Sequence, residues 1–147
     1  MKWLVPILAA HLGVAACDSP AEPTAIEPAA TVRLPAVPGR PGAGYLSLNI
    51  QGDQGALVSV TSPQAGRIEM HETMSGGGRM SAMRPLARIP VREGQTLRFE
   101  PGGRHLMLYD LAEGLAPGSR VVLTFHFERG PPETVEAVAQ PAGGAAH

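Results

Sequence analysis

Five of the six methionines lie between residues 70 and 107, and two histidines share that window. His71, Met83, His105 and Met107 follow one another with eleven, twenty-one and one intervening residues. Imidazole nitrogens and thioether sulfurs form a soft, neutral donor set, the kind that selects Cu(I) over Zn(II), Mg(II) or Ca(II). The chemistry these four side chains allow is therefore the holding of one cuprous ion per chain. None of the donors is anionic, so Cu(II) gains less from them, and acid competes with the metal for both imidazoles.

These residues can meet only if strands carry them. Around residue 105, Leu106 and Leu108 take one face of an alternating stretch while His105, Met107 and Tyr109 take the other. The leucines form the buried side, so His105 and Met107 are expected to point outward together, their Cα atoms about 6.8 Å apart by strand rise. In the stretch before residue 74, Ile68 and Met70 face inward and Arg67, Glu69 and His71 outward. Met83 follows the loop forced by Gly76-Gly77-Gly78, just before Arg84-Pro85. Strands are predicted over Tyr45–Ile50, Ala56–Val60, Arg67–Thr73, Leu86–Val91, Thr96–Phe99, Arg104–Tyr109 and Arg120–Glu128, with one helical turn over Asp110–Leu115. About seven short strands separated by Gly and Pro turns indicate an all-β, Greek-key β-sandwich.

Other candidate residues read more plainly. Met70 belongs to the core by parity with Ile68, whereas Met74 and Met80 flank the triple glycine as adaptable loop residues or spare thioethers. His126 alternates with Phe125 and Phe127 and is expected on the polar face; His147 could bind metal adventitiously, and His11 lies in the leader. Glu69 and Glu72 flank His71 on opposite faces, which rules out a paired acid and base. The two carboxylates are expected either to be solvated or, for Glu69, to hydrogen-bond the ring nitrogen of His71 that the metal does not use. No nucleophile elbow and no phosphate-cradling glycine pattern is present, so the chain does not read as an enzyme.

Composition and the termini set the context. Charged residues are 17% and the net charge is −1, which gives no basic field for nucleic acid. Residues 1–16 read as a secretory signal: Lys2, an apolar run too short to span a bilayer, then Val14-Ala15-Ala16 before the single cysteine, Cys17. This step resembles a bacterial lipobox, which makes Cys17 the expected lipidation site. Attachment to the inner membrane of a Gram-negative periplasm, by lipid alone, follows by analogy from Asp18. Residues 17–40 are a Pro/Ala-rich tether, 41–130 the folded domain, and 131–147 an expected disordered tail.

With its ligands placed, the stretch from Arg33 to Gly130 resembles the PCuAC family of periplasmic copper chaperones. That family's pattern is His, an optional Met, ten residues, Met, twenty-one residues, His, any residue, Met. It maps without gaps onto His71, Glu72, Thr73–Ala82, Met83, Arg84–Arg104, His105, Leu106 and Met107, with Glu72 at the optional Met position. The flanks Ile68-Glu69-Met70-His71, Met83-Arg84-Pro85 and Pro101-Gly102-Gly103-Arg104-His105 agree. The resemblance implies a cupredoxin-like sandwich and Cu(I) delivery toward the CuA site of cytochrome c oxidase, with the CuA subunit or a thioredoxin-like copper protein as partner. A copper-buffering lipoprotein with no oxidase-directed transfer fits the same residues. A blue-copper electron carrier does not, because it needs a Cys thiolate that the domain lacks.

Overall fold

The computed structural model describes residues 30–75 and 81–143. The described residues form ten strands and no helix. The first five are β1 (Ala30–Arg33), β2 (Gly42–Asn49), β3 (Ala56–Thr61), β4 (Ala65–Ser75) and β5 (Ser81–Leu86). They are followed by β6 (Ile89–Pro90), β7 (Thr96–Phe99), β8 (Arg104–Leu111), β9 (Arg120–Phe127) and β10 (Glu133–Gln140). Hydrogen bonds link them in the order β5-β4-β8-β2-β1-β10-β9-β3-β6, with β7 beside the second half of β2. The path curls into a cupredoxin-like sandwich, so that strands distant in hydrogen-bonding order pack face to face. Phe99 of β7 meets Phe125 of β9 in this way, with ring centres 6.2 Å apart.

Period-two alternation decides which face of each strand is inward. Leu46 and Leu48 of β2, Leu97 and Phe99 of β7, and Leu106 and Leu108 of β8 meet Val121, Leu123 and Phe125 of β9 in one core. Met70 is buried there beside the half-buried Ile68, as parity requires. Gly44 of β2 lets β8 approach closely: a Cβ at that position would lie 3.1 Å from the Leu106 Cβ.

The ends of the domain differ from the sequence reading. Residues 133–140 are not a disordered tail: β10 pairs antiparallel with β9 and parallel with β1, and Ala137 and Ala139 are buried. Its inward positions are Val135, Ala137 and Ala139, and alanines carry too little hydrophobic contrast to stand out in a Pro/Gly/Ala-rich segment. The tether likewise ends earlier than expected, because β1 buries Ala30 and Val32 between β2 and β10. The single strand expected over Leu86–Val91 is two, β5 and β6, which together with β1 and β10 raises about seven strands to ten.

No helical turn forms over Asp110–Leu115. β8 continues to Leu111 and a turn follows. Asp110 takes a left-handed φ of 51°, a region that Asp tolerates better than most residues. Opposite it stands Gly66, where an added Cβ would come within 2.9 Å of the Asp110 Cβ. The leader (1–16), Cys17 and most of the tether lie outside the described residues, as do the glycine loop with Met80 and His147.

Candidate metal centre

The register of three neighbouring strands assembles the site. β4 and β8 pair antiparallel with His71 opposite His105, Glu69 opposite Met107 and Arg67 opposite Tyr109. Directly paired residues share a face, so all six side chains stand on the face of the sheet that turns away from the core. On the other flank of β4, β5 sets Pro85 opposite His71 and Met83 opposite Thr73. Met83 is therefore on the same face as the histidines, one cross-strand step beyond them and away from Met107. The structure brings His71, His105 and Met107 together as a compact group. Met83 hangs beside it on the edge strand, 58% exposed.

Burial departs from the expected outward exposure. His105 has the predicted face but is only 6% exposed, and the His71 side chain retains 13%. The two residues are paired across β4 and β8, with ring centres 5.9 Å apart and planes tilted by 38°. Two imidazoles this close could share one ion through nitrogens turned toward each other, since a metal–imidazole bond is about 2 Å long.

Each histidine uses one nitrogen and spares the other. His71 Nε2 donates to Glu69 Oε2 at 2.9 Å, while its buried Nδ1 has no hydrogen-bond partner among the described residues. A buried imidazole nitrogen without a partner is costly unless something else occupies its lone pair. His105 Nδ1 donates to the Gly103 carbonyl at 3.2 Å, which leaves the lone pair on Nε2. Because carboxylate and carbonyl oxygens only accept, these contacts define the tautomers.

The Gly103 carbonyl also accepts from Thr73 N–H at 3.0 Å, tying the end of β4 to the turn before β8. That turn needs a glycine at 102, where φ is +79°. The role of Gly103 is not carried by a side chain; its one trace in the sequence is the Pro101-Gly102-Gly103 step before His105.

Around this group the electrostatics are arranged in two layers. Glu69 Oε1 lies 3.3 Å from Arg67 Nη1, and the Arg67 guanidinium sits 4.2 Å from the Tyr109 ring centre. The hydrogen bond from His71, with the Arg67 charge and a Tyr109 hydrogen bond, holds the Glu69 carboxyl below the usual carboxylate range against partial burial. Burial and the Glu69 charge push the Tyr109 phenol upward. On the reverse face Glu72 pairs with Arg84 at 2.9 Å and stands 3.6 Å from Arg104, bridging β5, β4 and β8. Glu72 thus faces away from the histidines, as parity predicted.

Of the remaining candidates, Met74 is exposed near the end of β4 on the Glu72 face. His126 meets Thr61 Oγ1 at 2.9 Å, with no role at this site. Among the described residues no group of three His, Cys, Asp or Glu side chains could hold a metal.

Comparison with known proteins adds a family and a fold. The family model for LpqE-like lipoproteins matches residues 26–139. A protein of Leifsonia xyli subsp. xyli, named as a lipoprotein, is 29% identical over 89 residues, covering 60% of this chain and 54% of that one. Protein RP573 of Rickettsia prowazekii is 29% identical over 84 residues, 57% of this chain and 46% of that one. The chain thus spans about half the length of the curated relatives it matches.

Among solved structures, the Cu(I) form of DR1885 from Deinococcus radiodurans is 31% identical, with a TM-score of 0.51 over 78% of this chain and 76% of that one. The copper-bound PCuAC domain from PmoF2 has a TM-score of 0.61 over 78% of this chain and 90% of that domain. At 18% identity that likeness concerns the fold alone.

Proposed function

The chain belongs to the LpqE-like lipoprotein family, of PCuAC type, and from that premise we propose that it is a copper-binding chaperone that carries Cu(I) outside the cytoplasm. The observation that carries this reading is the His71–His105 pair, two imidazoles 5.9 Å apart with one nitrogen of each tied to an acceptor. The free nitrogens supply two donors, and Met107 and Met83 supply two thioethers. With neutral ligands only, the site favours the cuprous state. A relative supports the choice of metal: the DR1885 structure was solved with Cu(I).

Carriage requires release as well as capture. His71 and His105 are shielded, whereas Met83 lies on an exposed edge strand. An acceptor approaching that edge can replace the Met83 sulfur first and draw the ion away by stepwise ligand exchange. The described residues of the site are metal-binding groups, and the proposal is of a carrier. Its destination, on this proposal, is the CuA centre of cytochrome c oxidase, directly or through a thioredoxin-like copper protein. Lipidation at Cys17 would hold the carrier on the outer side of the bacterial inner membrane. No helix among the described residues is long and apolar enough to cross a membrane.

Anaerobic Cu(I) titration against a competing chelator tests the carrier reading. One equivalent is expected to bind, and the double variant His105→Ala, Met107→Ala to lose that binding. Failure of the wild-type chain to bind, or unchanged affinity in the variant, would overturn it. A deletion strain lacking assembled CuA, restored by added copper, supports delivery; normal CuA assembly in that strain supports copper buffering instead.

A further inference from the structure

We infer that Glu69 is a positioning residue for the metal, fixing His71 in the tautomer that binds through Nδ1 while His105 binds through Nε2. The inference rests on the copper-carrier reading and adds a ligand asymmetry to it. A free imidazole exchanges its proton between two nitrogens, so a histidine ligand needs a partner that decides which one is left for the metal.

For His105 that partner is the main-chain carbonyl of Gly103, which no side-chain substitution removes. For His71 it is a side chain. Glu69 lies two residues earlier on the same face of β4 and opposite Met107, so the register places it beside the site. The Glu69 carboxylate accepts from Nε2 at 2.9 Å and meets Arg67 Nη1 at 3.3 Å through its other oxygen. Arg67 is itself laid over Tyr109. The carboxylate thus has a partner on each oxygen, His71 on one and Arg67 on the other.

The atom left over, His71 Nδ1, is buried and without a partner among the described residues. No protein group among the described residues satisfies it, which leaves its lone pair available to a ligand. The acceptor is anionic as well as correctly placed, so it raises the donor strength of the ring it holds. Removal of such outer partners typically costs about 10–100-fold in metal affinity.

Long-range 1H–15N correlation spectra of the 15N-labelled full chain test the inference before any metal is added. In the metal-free protein the proton is expected on Nε2 of His71 and on Nδ1 of His105. Anaerobic Cu(I) should then shift Nδ1 of His71 and Nε2 of His105. In a Glu69→Ala variant the His71 ring should populate both tautomers, and Cu(I) affinity should fall about 10–100-fold. The His105 pattern and the far-ultraviolet circular dichroism should stay unchanged. A proton on Nδ1 of His71 in the metal-free wild type, copper on its Nε2, or a Glu69→Ala variant with unaltered tautomer and affinity would overturn the inference. If the wild type binds no Cu(I), the carrier reading fails, and the metal-free spectrum still decides whether Glu69 fixes the tautomer.

Discussion

His71 and His105 occupy equivalent positions on adjacent strands, yet the two thioethers beside them do not. Met107 is half-buried, two residues from His105 on the same strand, while Met83 is exposed one cross-strand step on the other side of the pair. Met107→Leu is therefore expected to weaken Cu(I) binding by more than about tenfold, or 1.4 kcal/mol, and Met83→Leu by less. Chelator competition measures both, and equal losses would mean that the two sulfurs are equivalent in the complex. The order and shared face of the candidate ligands were legible from alternation around His71 and His105. The burial of His105 was not. Parity assigns a side chain to a face, but whether that face is covered depends on what the neighbouring strand sets opposite, here another histidine.

Strand pairing is what the sequence reveals least at the level of elements. The hydrophobic strands around Leu48, Leu97, Leu106 and Leu123 announce themselves, whereas β1 and β10 bury mainly alanine and valine in Pro-rich surroundings. Their place is nevertheless central, since β10 joins β1 to β9. A chain ending at Gly130 should lose cooperative thermal unfolding followed by circular dichroism, because two strands would be left with unpaired edges. An unaltered melt would return residues 133–140 to the status of a tail.

A second element-level expectation concerns Arg88, in the link between β5 and β6, which grips Glu128 just past β9 through two hydrogen bonds of 2.5 and 2.8 Å. The hydrogen bond from Arg88 holds the Glu128 carboxyl below the usual carboxylate range, and the charges of Arg88 and Arg129 add to it. A depressed folded-state value contributes stability above the unfolded value and loses it as pH falls through the folded one. The melting temperature of Glu128→Gln should thus lie slightly below wild type at neutral pH. The gap should close as pH falls through and below the usual carboxylate range, about 4.3 for Glu. The effect is small because the pair is partly exposed, and a gap that widens in acid would contradict the assignment.

For the whole molecule, one core supports two unlike faces along β4 and β8. Glu72, between Arg84 and Arg104, ties three strands together on the side away from the histidines. The opposite face holds the soft donors and the Arg67–Glu69–Tyr109 network. Fold class was legible because short alternating strands with frequent glycine and proline turns leave few other architectures. The metal proposed for that face rests on a domain without cysteine but rich in methionine, which narrows the choice to an ion that accepts thioethers. X-ray absorption at the copper edge of the anaerobic Cu(I)-loaded chain tests this most directly. Two nitrogen and two sulfur neighbours are expected, with the sulfur shell lost in the Met83→Leu, Met107→Leu double variant. A copper environment of nitrogen and oxygen alone, or a sulfur shell that survives in that variant, would contradict it.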